Sequence, residues 1–440
     1  MTMAWRDLAT RAGAGALVLL AVALTLAVAY LVPERPEVAL GLAGTVLVAV
    51  AALVHPVTLP LLAMPLIVVV ARVGGGGVDL TVSDVALGLA FAPAVVLAPR
   101  PFSPQLRTLL WLNVVYQAAT LFTLVANPFL ANTVEWFHAW MLVSGALLVG
   151  WAVGAAGHAR AGLTLFLLAC LGLAIPTIVQ GALQVASGDF GAVYPSWPWS
   201  MHKNFIGTLL GSAALVVYAR PTWLGWSRLW ARSAFWVMVA AIAASQSRQA
   251  LIGLAIGLLV ISLRQRERAG RVWLLLVGLV PVGYLVLTMV RDQIASGNQH
   301  NSWFQRLEWY AESVRIWADA PLVGHGLRYW TQPDAPGVFQ PPNAFLEVAA
   351  SAGLVGLVGF LVLWVGVVVV LMRMNPVYGT LALAVALSRL GQSQLDLFWV
   401  SVSVSVPFML IGVCLGGEQR ALDRTSTEAR PRRDARPVLA

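Results

Sequence analysis

The chain has 440 residues, 59% of them hydrophobic and only 11% charged, with a formal net charge of +9 and a mean hydropathy of +0.80. This excludes a soluble domain, because apolar stretches of about twenty residues recur along the whole length, as in a polytopic α-helical membrane protein. A membrane barrel is excluded as well: strand-period alternation is absent, and helices satisfy their own backbone polar groups in lipid.

In chain order, the apolar runs predict spans near residues 12–32, 38–54, 57–72, 84–99, 107–126, 135–156 and 162–185. Others follow near 204–219, 232–244, 249–263, 272–290, 343–372, 376–391 and 394–415, for a fold of 12–14 transmembrane helices. The run at 12–32 lacks a cleavage site and reads as the first span, not as a signal peptide. Gly74–Gly77 lacks the lysine and helix start of a phosphate loop and reads as a flexible turn. Cys170 and Cys414 lie inside apolar runs, with no disulfide or metal-ligand spacing. Residues 1–416 form one membrane domain, and 417–440 read as a basic, disordered tail.

Every basic residue except Lys203 is an arginine. With Met1 placed in the cytoplasm, most of them fall in cytoplasmic loops or the tail, as the positive-inside rule requires. Topology therefore explains the basic charge, and the expected partner is a lipid bilayer, with no nucleic acid. The predicted address is the cell membrane, with both termini cytoplasmic. Residues 291–342 become one long extracytoplasmic loop, and Lys203, Arg248, Arg306, Arg315, Arg328 and Arg389 lie on that face against the rule.

Trp303, Leu307, Tyr310, Val314 and Trp317 in the loop repeat at 4-3-4-3 spacing, the stripe of an amphipathic helix. Glu308, Glu312 and Arg315 sit on its polar side, where intrahelical pairing competes with substrate binding. Pro321, Gly324 and Gly326 around His325 mark a tight turn that either terminates a helix or offers backbone amides to an anion. Asn343 is a predicted N-cap, and Glu347 lies one turn inside the span that follows. A carboxylate there costs a few kcal/mol unless it lines a polar cavity or pairs with an arginine.

Ser245 and Ser247 can cap the helix that Arg248 opens. Arg248 either snorkels to headgroups or holds phosphate through paired hydrogen bonds. Lys203 and Asn204 follow an aromatic stretch from Tyr194 to Trp199, which suits either an interfacial anchor or a phosphate-facing loop. Arg389, Gln392 and Asp396 lie on the same face and are expected to pair with one another.

Taken in order, several of these segments resemble the O-antigen ligase / O-antigen polymerase superfamily. They are Ser245-x-Ser-Arg-x-Ala-Leu-Ile-Gly, Arg306-x-x-x-Tyr, Pro321-Leu-x-Gly-x-Gly, and Pro-x-Asn343-x-x-x-Glu ahead of Gly353-Leu-x-Gly. Val78-Asp-Leu-Thr-Val-Ser-Asp84 and His202-Lys-Asn-Phe-Ile-Gly207 extend the resemblance, which covers about residues 78–372. It implies a multi-span, GT-C-like, metal-independent glycosyltransferase without a cofactor. The donor would be a polyprenyl-diphosphate-linked glycan on the outer face, and the acceptor a glycan or glycolipid, with polysaccharide-assembly proteins as partners. Family arginines near Arg248 and Arg306 would hold the diphosphate.

The family's acceptor-activating histidine falls at Pro342, which transfers no proton. Glu347, His325, His300 and Asp319 are the substitutes on the same face, Glu347 through burial and His325 through its ordinary titration range. The expected site therefore has Glu347 and His325 as catalytic groups. Arg248, Arg306, Arg328, Arg315 and Lys203 are the expected diphosphate ligands, with Asn343, Ser247 and Asn204 shaping the site. The alternative is a non-catalytic transporter or lipid-glycan carrier of the same superfamily.

Overall fold

The computed structural model describes residues 50, 54–55, 57–73, 80–96, 100–265, 291, 302–331 and 339–428. The expected spans at 12–32 and 272–290, most of 38–54, Gly74–Gly77 and His300 lie outside them. The chain divides into two compact units, residues 1–59 and 60–440, and the second is the helical bundle described here.

A short helix α1 (Thr58–Leu66) precedes a minimal antiparallel pair, β1 (Arg72–Val73) and β2 (Leu80–Thr81). Next come α2 (Val82–Val96), α3 (Pro104–Ala126), α4 (Leu130–Ala155) and α5 (Ala159–Ala186). The bundle continues with α6 (Lys203–Ala219), α7 (Arg228–Ser245) and α8 (Arg248–Arg264). Helix α9 (Ser302–Asp319) is followed by α10 (Ala344–Arg373), α11 (Pro376–Gln392) and α12 (Ser401–Glu428). Among the described residues, five helices are long and apolar enough to cross a membrane: α3, α4, α5, α10 and the stretch Ser401–Ser426 of α12. The chain is an all-α, multi-pass membrane protein.

Local chemistry starts several of these helices. Ser103 and Asn375 cap α3 and α11, each ahead of a proline in the first turn, where its missing N–H costs nothing. Asn343 caps α10, its Oδ1 accepting from the amides of Phe345 and Leu346 at 3.0 and 3.1 Å. Within α4, Met141–Gly145 is a π-helical turn, and its Ser144 takes a 2.7 Å bond from Asn113 of α3.

The most extensive pairing joins the second half of α4 to α12. Gly150 and Gly154 of α4 lie directly against backbone of Met409 and Val413, while Gly412 and Gly416 of α12 lie against Leu147 and Trp151. Two small-residue faces, each with a spacing of four, let the backbones touch; such close packing holds helices together in lipid.

One end of the bundle carries arginine-rich connections. Arg264 donates to the Leu371 carbonyl at 3.2 Å, Gln265 to Ala219, and Arg420 to Ala155. Helix α12 runs on to Glu428, beyond the expected boundary at 416, and Glu418 on it accepts from the Asn375 amide at 2.8 Å.

The start of the last span differs from expectation. Residues 393–400 are not helical, and α12 begins at Ser401. Side chains from four helices take over the backbone and polar groups of this stretch. Glu347 accepts from the Phe398 amide, and Arg389 donates to the carbonyls of Leu397 and Phe398. Asn204 and Gln249 donate to Asp396. Arg389, Gln392 and Asp396 thus do not bond one another: Gln392 turns to Ser388 instead.

Candidate functional site

The N-termini of α6, α8 and α10 meet the 393–400 stretch at the other end of the bundle. Asn204 Nδ2 donates to Asp396 Oδ1 at 3.0 Å, Gln249 Nε2 donates to Asp396 Oδ2 at 3.4 Å, and the Ala344 amide donates to the Ser393 carbonyl at 2.8 Å. Helix α9 joins them through Tyr310, whose hydroxyl donates to the Pro342 carbonyl at 3.3 Å.

Three of the expected cations converge here. Lys203 opens α6, Arg248 opens α8, and Arg306 lies in the second turn of α9. The charges of Arg248 and Arg306 both act on the Lys203 ammonium. Among the described residues none of the three forms an ion pair with a carboxylate. Lys203 instead lies 5.8 Å from the Tyr194 ring centroid, and His202 packs edge-on to the same ring. Two helix N-termini add the positive ends of their dipoles to this charge.

Ser247 does not cap α8 as expected. Its Oγ is buried without a partner, pressed against Gly207 of α6, where a Cβ would collide with it. The helix contact has claimed the side chain, so the first amides of α8 lack a side-chain acceptor. His202 does cap α6, its Nδ1 accepting from the Asn204 amide at 3.3 Å. Burial lowers the His202 pKa, and the charge of Lys203 adds to this against the pull of Asp396. The neutral ring that results is the form that accepts.

The remaining expected cations have carboxylate partners. Arg315 pairs with Glu312 at 3.3 Å on the exposed side of α9, a pair contributing roughly 0.3–0.5 kcal/mol. Arg328 Nε lies 2.9 Å from Glu135 Oε2 of α4. The stripe of α9 is also rotated from expectation. Leu307 and Val314 are exposed, while Ser313 and Ile316 are buried and α9 packs on α10.

Glu347 is 2% exposed. Its Oε1 accepts from Gln340 Nε2 at 2.8 Å and its Oε2 from the Phe398 amide at 3.1 Å. Arg389, equally buried, acts on it electrostatically without touching it, and the Nε and Nη1 of Arg389 have no partner. His325 is half-buried against Tyr329, and its Nε2 bonds the Ile316 carbonyl at 2.9 Å. That bond requires Nε2 to carry the proton, leaving Nδ1 as the acceptor.

The turn around His325 has a specific job. The His325 and Gly326 amides donate to the carbonyls of Ala350 and Ser351, and the Leu354 and Val355 amides donate to those of Pro321 and Leu322. The amides that an anion would need are thus spent on α10, which is broken at Gly353.

A second polar cluster escaped the sequence reading. Asp84 of α2, His138 and Glu135 of α4, and Arg328 form a continuous row, buried at Asp84 and Glu135 and half-buried at His138 and Arg328. Asp84 and Arg328 each stand out in the sequence for other reasons, and the i, i+3 spacing of Glu135 and His138 means nothing until those two lie beside it.

A family model described as O-Antigen ligase matches residues 233–361. Over this segment the chain is similar to the O-antigen ligase family. The matched segment holds Arg248, Arg306, His325, Arg328, Asn343 and Glu347, whereas Lys203, Glu135, Asp84 and Asp396 reach the same end of the bundle from outside it. The match supports an O-antigen ligase-like glycosyltransferase reading at family level. No curated protein matches the chain.

Proposed function

We propose that this protein is a membrane glycosyltransferase that moves a glycan from a polyprenyl-diphosphate donor to an acceptor sugar on the outer face of the cell membrane. The convergence of Lys203, Arg248 and Arg306, free of carboxylate partners among the described residues, carries this reading. Three cations beside two helix N-termini suit a diphosphate, because guanidinium forms paired bonds to phosphate oxygens and stays charged. The opposite, arginine-rich end of the bundle would then face the cytoplasm.

In the transfer, an acceptor hydroxyl oxygen attacks the anomeric carbon of the donor sugar. The bond from that carbon to the diphosphate oxygen breaks with inversion, and the cation cluster meets the charge that develops on the leaving diphosphate. The hydroxyl proton passes to a nearby base. Of the expected catalytic groups, His325 Nδ1 and the Glu347 carboxylate are acceptors at this end of the bundle, and Pro342 supplies only its carbonyl, already bonded to Tyr310. Ionisable groups gather near the helix ends, an arrangement that favours an enzyme over a transporter with charges at mid-membrane.

The test is turnover by purified protein in lipid nanodiscs. The substrates are a polyprenyl-diphosphate oligosaccharide and an acceptor glycan, with product followed by mass and donor diphosphate release. Transfer should occur and should collapse in the Arg248→Ala, Arg306→Ala double variant. Transfer that persists unchanged in that variant overturns the assigned roles.

A further inference from the structure

We propose that Arg328 is a positioning residue: the row Asp84–His138–Glu135 seats its guanidinium and so holds the Pro321–Thr331 segment in the break of α10. The row crosses parts of the chain far apart in sequence. His138 Nε2 lies 3.0 Å from Asp84 Oδ1, His138 Nδ1 lies 3.7 Å from Glu135 Oε2, and Arg328 Nε lies 2.9 Å from the same Glu135 oxygen. Asp84 is itself fixed: it accepts from the Thr81 amide at 2.9 Å, the Thr81 hydroxyl at 2.7 Å and the Ser401 hydroxyl. Carboxylate and nitrogen donor alternate from α12 and α2 through α4 to the segment.

The backbone of the segment is held from the same side. Asn132 Oδ1 accepts from the Arg328 amide at 2.9 Å, and Asn127 Nδ2 donates to the Gly324 carbonyl at 3.1 Å. Gly326 lies so close to Asn132 that a Cβ there would collide with its side chain. Side chain and backbone at residue 328 are thus both fixed by α4, which leaves Arg328 oriented to this row. Losing Arg328 leaves the buried Glu135 carboxylate without this cation, and losing Glu135 leaves the half-buried guanidinium without its anchor, so either change should loosen the segment.

The inference rests on the proposed reaction only for its kinetic readout; the structural readout needs no activity. Ser351 is buried under the segment, where it and Leu327 line a cavity of about 10 Å³. The two native cysteines are fully buried. A Ser351→Cys protein, probed with a membrane-impermeant maleimide in nanodiscs, reports whether the segment is seated. Arg328→Gln or Glu135→Gln in that background should raise its labelling rate about tenfold or more, while Arg328→Lys should keep it low.

Turnover should fall in kcat for Arg328→Gln and recover in Arg328→Lys, with the donor KM little changed. Two results overturn the proposal. One is unchanged protection of Ser351→Cys in both Gln variants with a raised donor KM, which would make Arg328 a donor ligand. The other is labelling of Cys170 together with Ser351→Cys, which would mean collapse of the whole bundle.

Discussion

Gly324 and Gly353 lie on two facing backbone stretches, Gly324 against Ser351 and Ala352 and Gly353 against Leu322 and Val323, and each holds a positive φ, 68° and 65°. A Cβ on Gly324 would strike the Ser351 carbonyl, and one on Gly353 the Leu322 carbonyl. Between them run four backbone hydrogen bonds that join the Pro321–Gly326 turn to the break in α10. The turn supplies the partners that a broken membrane helix loses, which is the condition for irregular backbone at membrane depth.

Gly353→Ala should therefore destabilise the protein by more than about 2 kcal/mol, combining left-handed strain with a backbone collision. The thermal midpoint of purified protein in detergent measures it. An unchanged midpoint would show that the turn and α10 are not in contact.

Arg248→Ala and Arg306→Ala should each lower turnover by about a hundredfold or more, because both removed charges would meet the leaving diphosphate. Lysine at either position should recover part of the rate, since it restores the charge without the fork. Arg315→Ala should change little, because Arg315 is exposed and paired to Glu312. The three substitutions are separated by kcat/KM for the lipid-linked donor.

Glu347→Gln should cost about 1–3 kcal/mol of stability, because the amide places a donor against either the Phe398 amide or Gln340. If Glu347 is the base, turnover should also fall and lose its acid limb. If His325 is the base, His325→Gln takes over that signature, and Glu347→Gln leaves the pH profile intact. Turnover against pH for the two variants decides between them.

His202 should make stability pH-dependent. Its pKa in the fold is lowered, with burial the largest cause. The unfolded chain, titrating near about 6.5, then takes up the proton first on acidification. The stabilising contribution is complete above about pH 6.5 and declines as pH falls toward the folded value. Between about pH 7.5 and 5.5 the wild-type thermal midpoint should drop more than that of His202→Asn, which caps without titrating.

Gly412→Val should disrupt the α4–α12 contact, since any side chain there meets the Leu147 carbonyl. Gly172→Ala is the control: a Cβ on that α5 glycine has nothing within 4 Å, and the change should stay within about 0.5 kcal/mol. Thermal midpoints of the two proteins measure the contrast.

Hydrophobic runs of a given length have one stable form in lipid, so the all-α class and most helix positions could be read from the chain alone. α3, α4, α5, α6, α8, α10 and α11 begin and end within a few residues of their apolar runs. The cap at Asn343 is equally local, because a side chain bonding its own next amides needs no distant partner. Patterning puts Lys203, Arg248 and Arg306 on one face and the resemblance alone joins them in one diphosphate site, and three helices had to meet before their charges acted on one another. What the sequence could not decide were partners far apart in the chain. Arg328 reads as a free cation until Glu135 is placed beside it, and Ser247 reads as a cap until Gly207 presses on it. The stretch 393–400 reads as helix until Glu347 and Arg389 claim its backbone. Patterning is set by neighbours a few residues away, whereas the buried polar contacts are set by which helices meet, and only the tertiary structure fixes that.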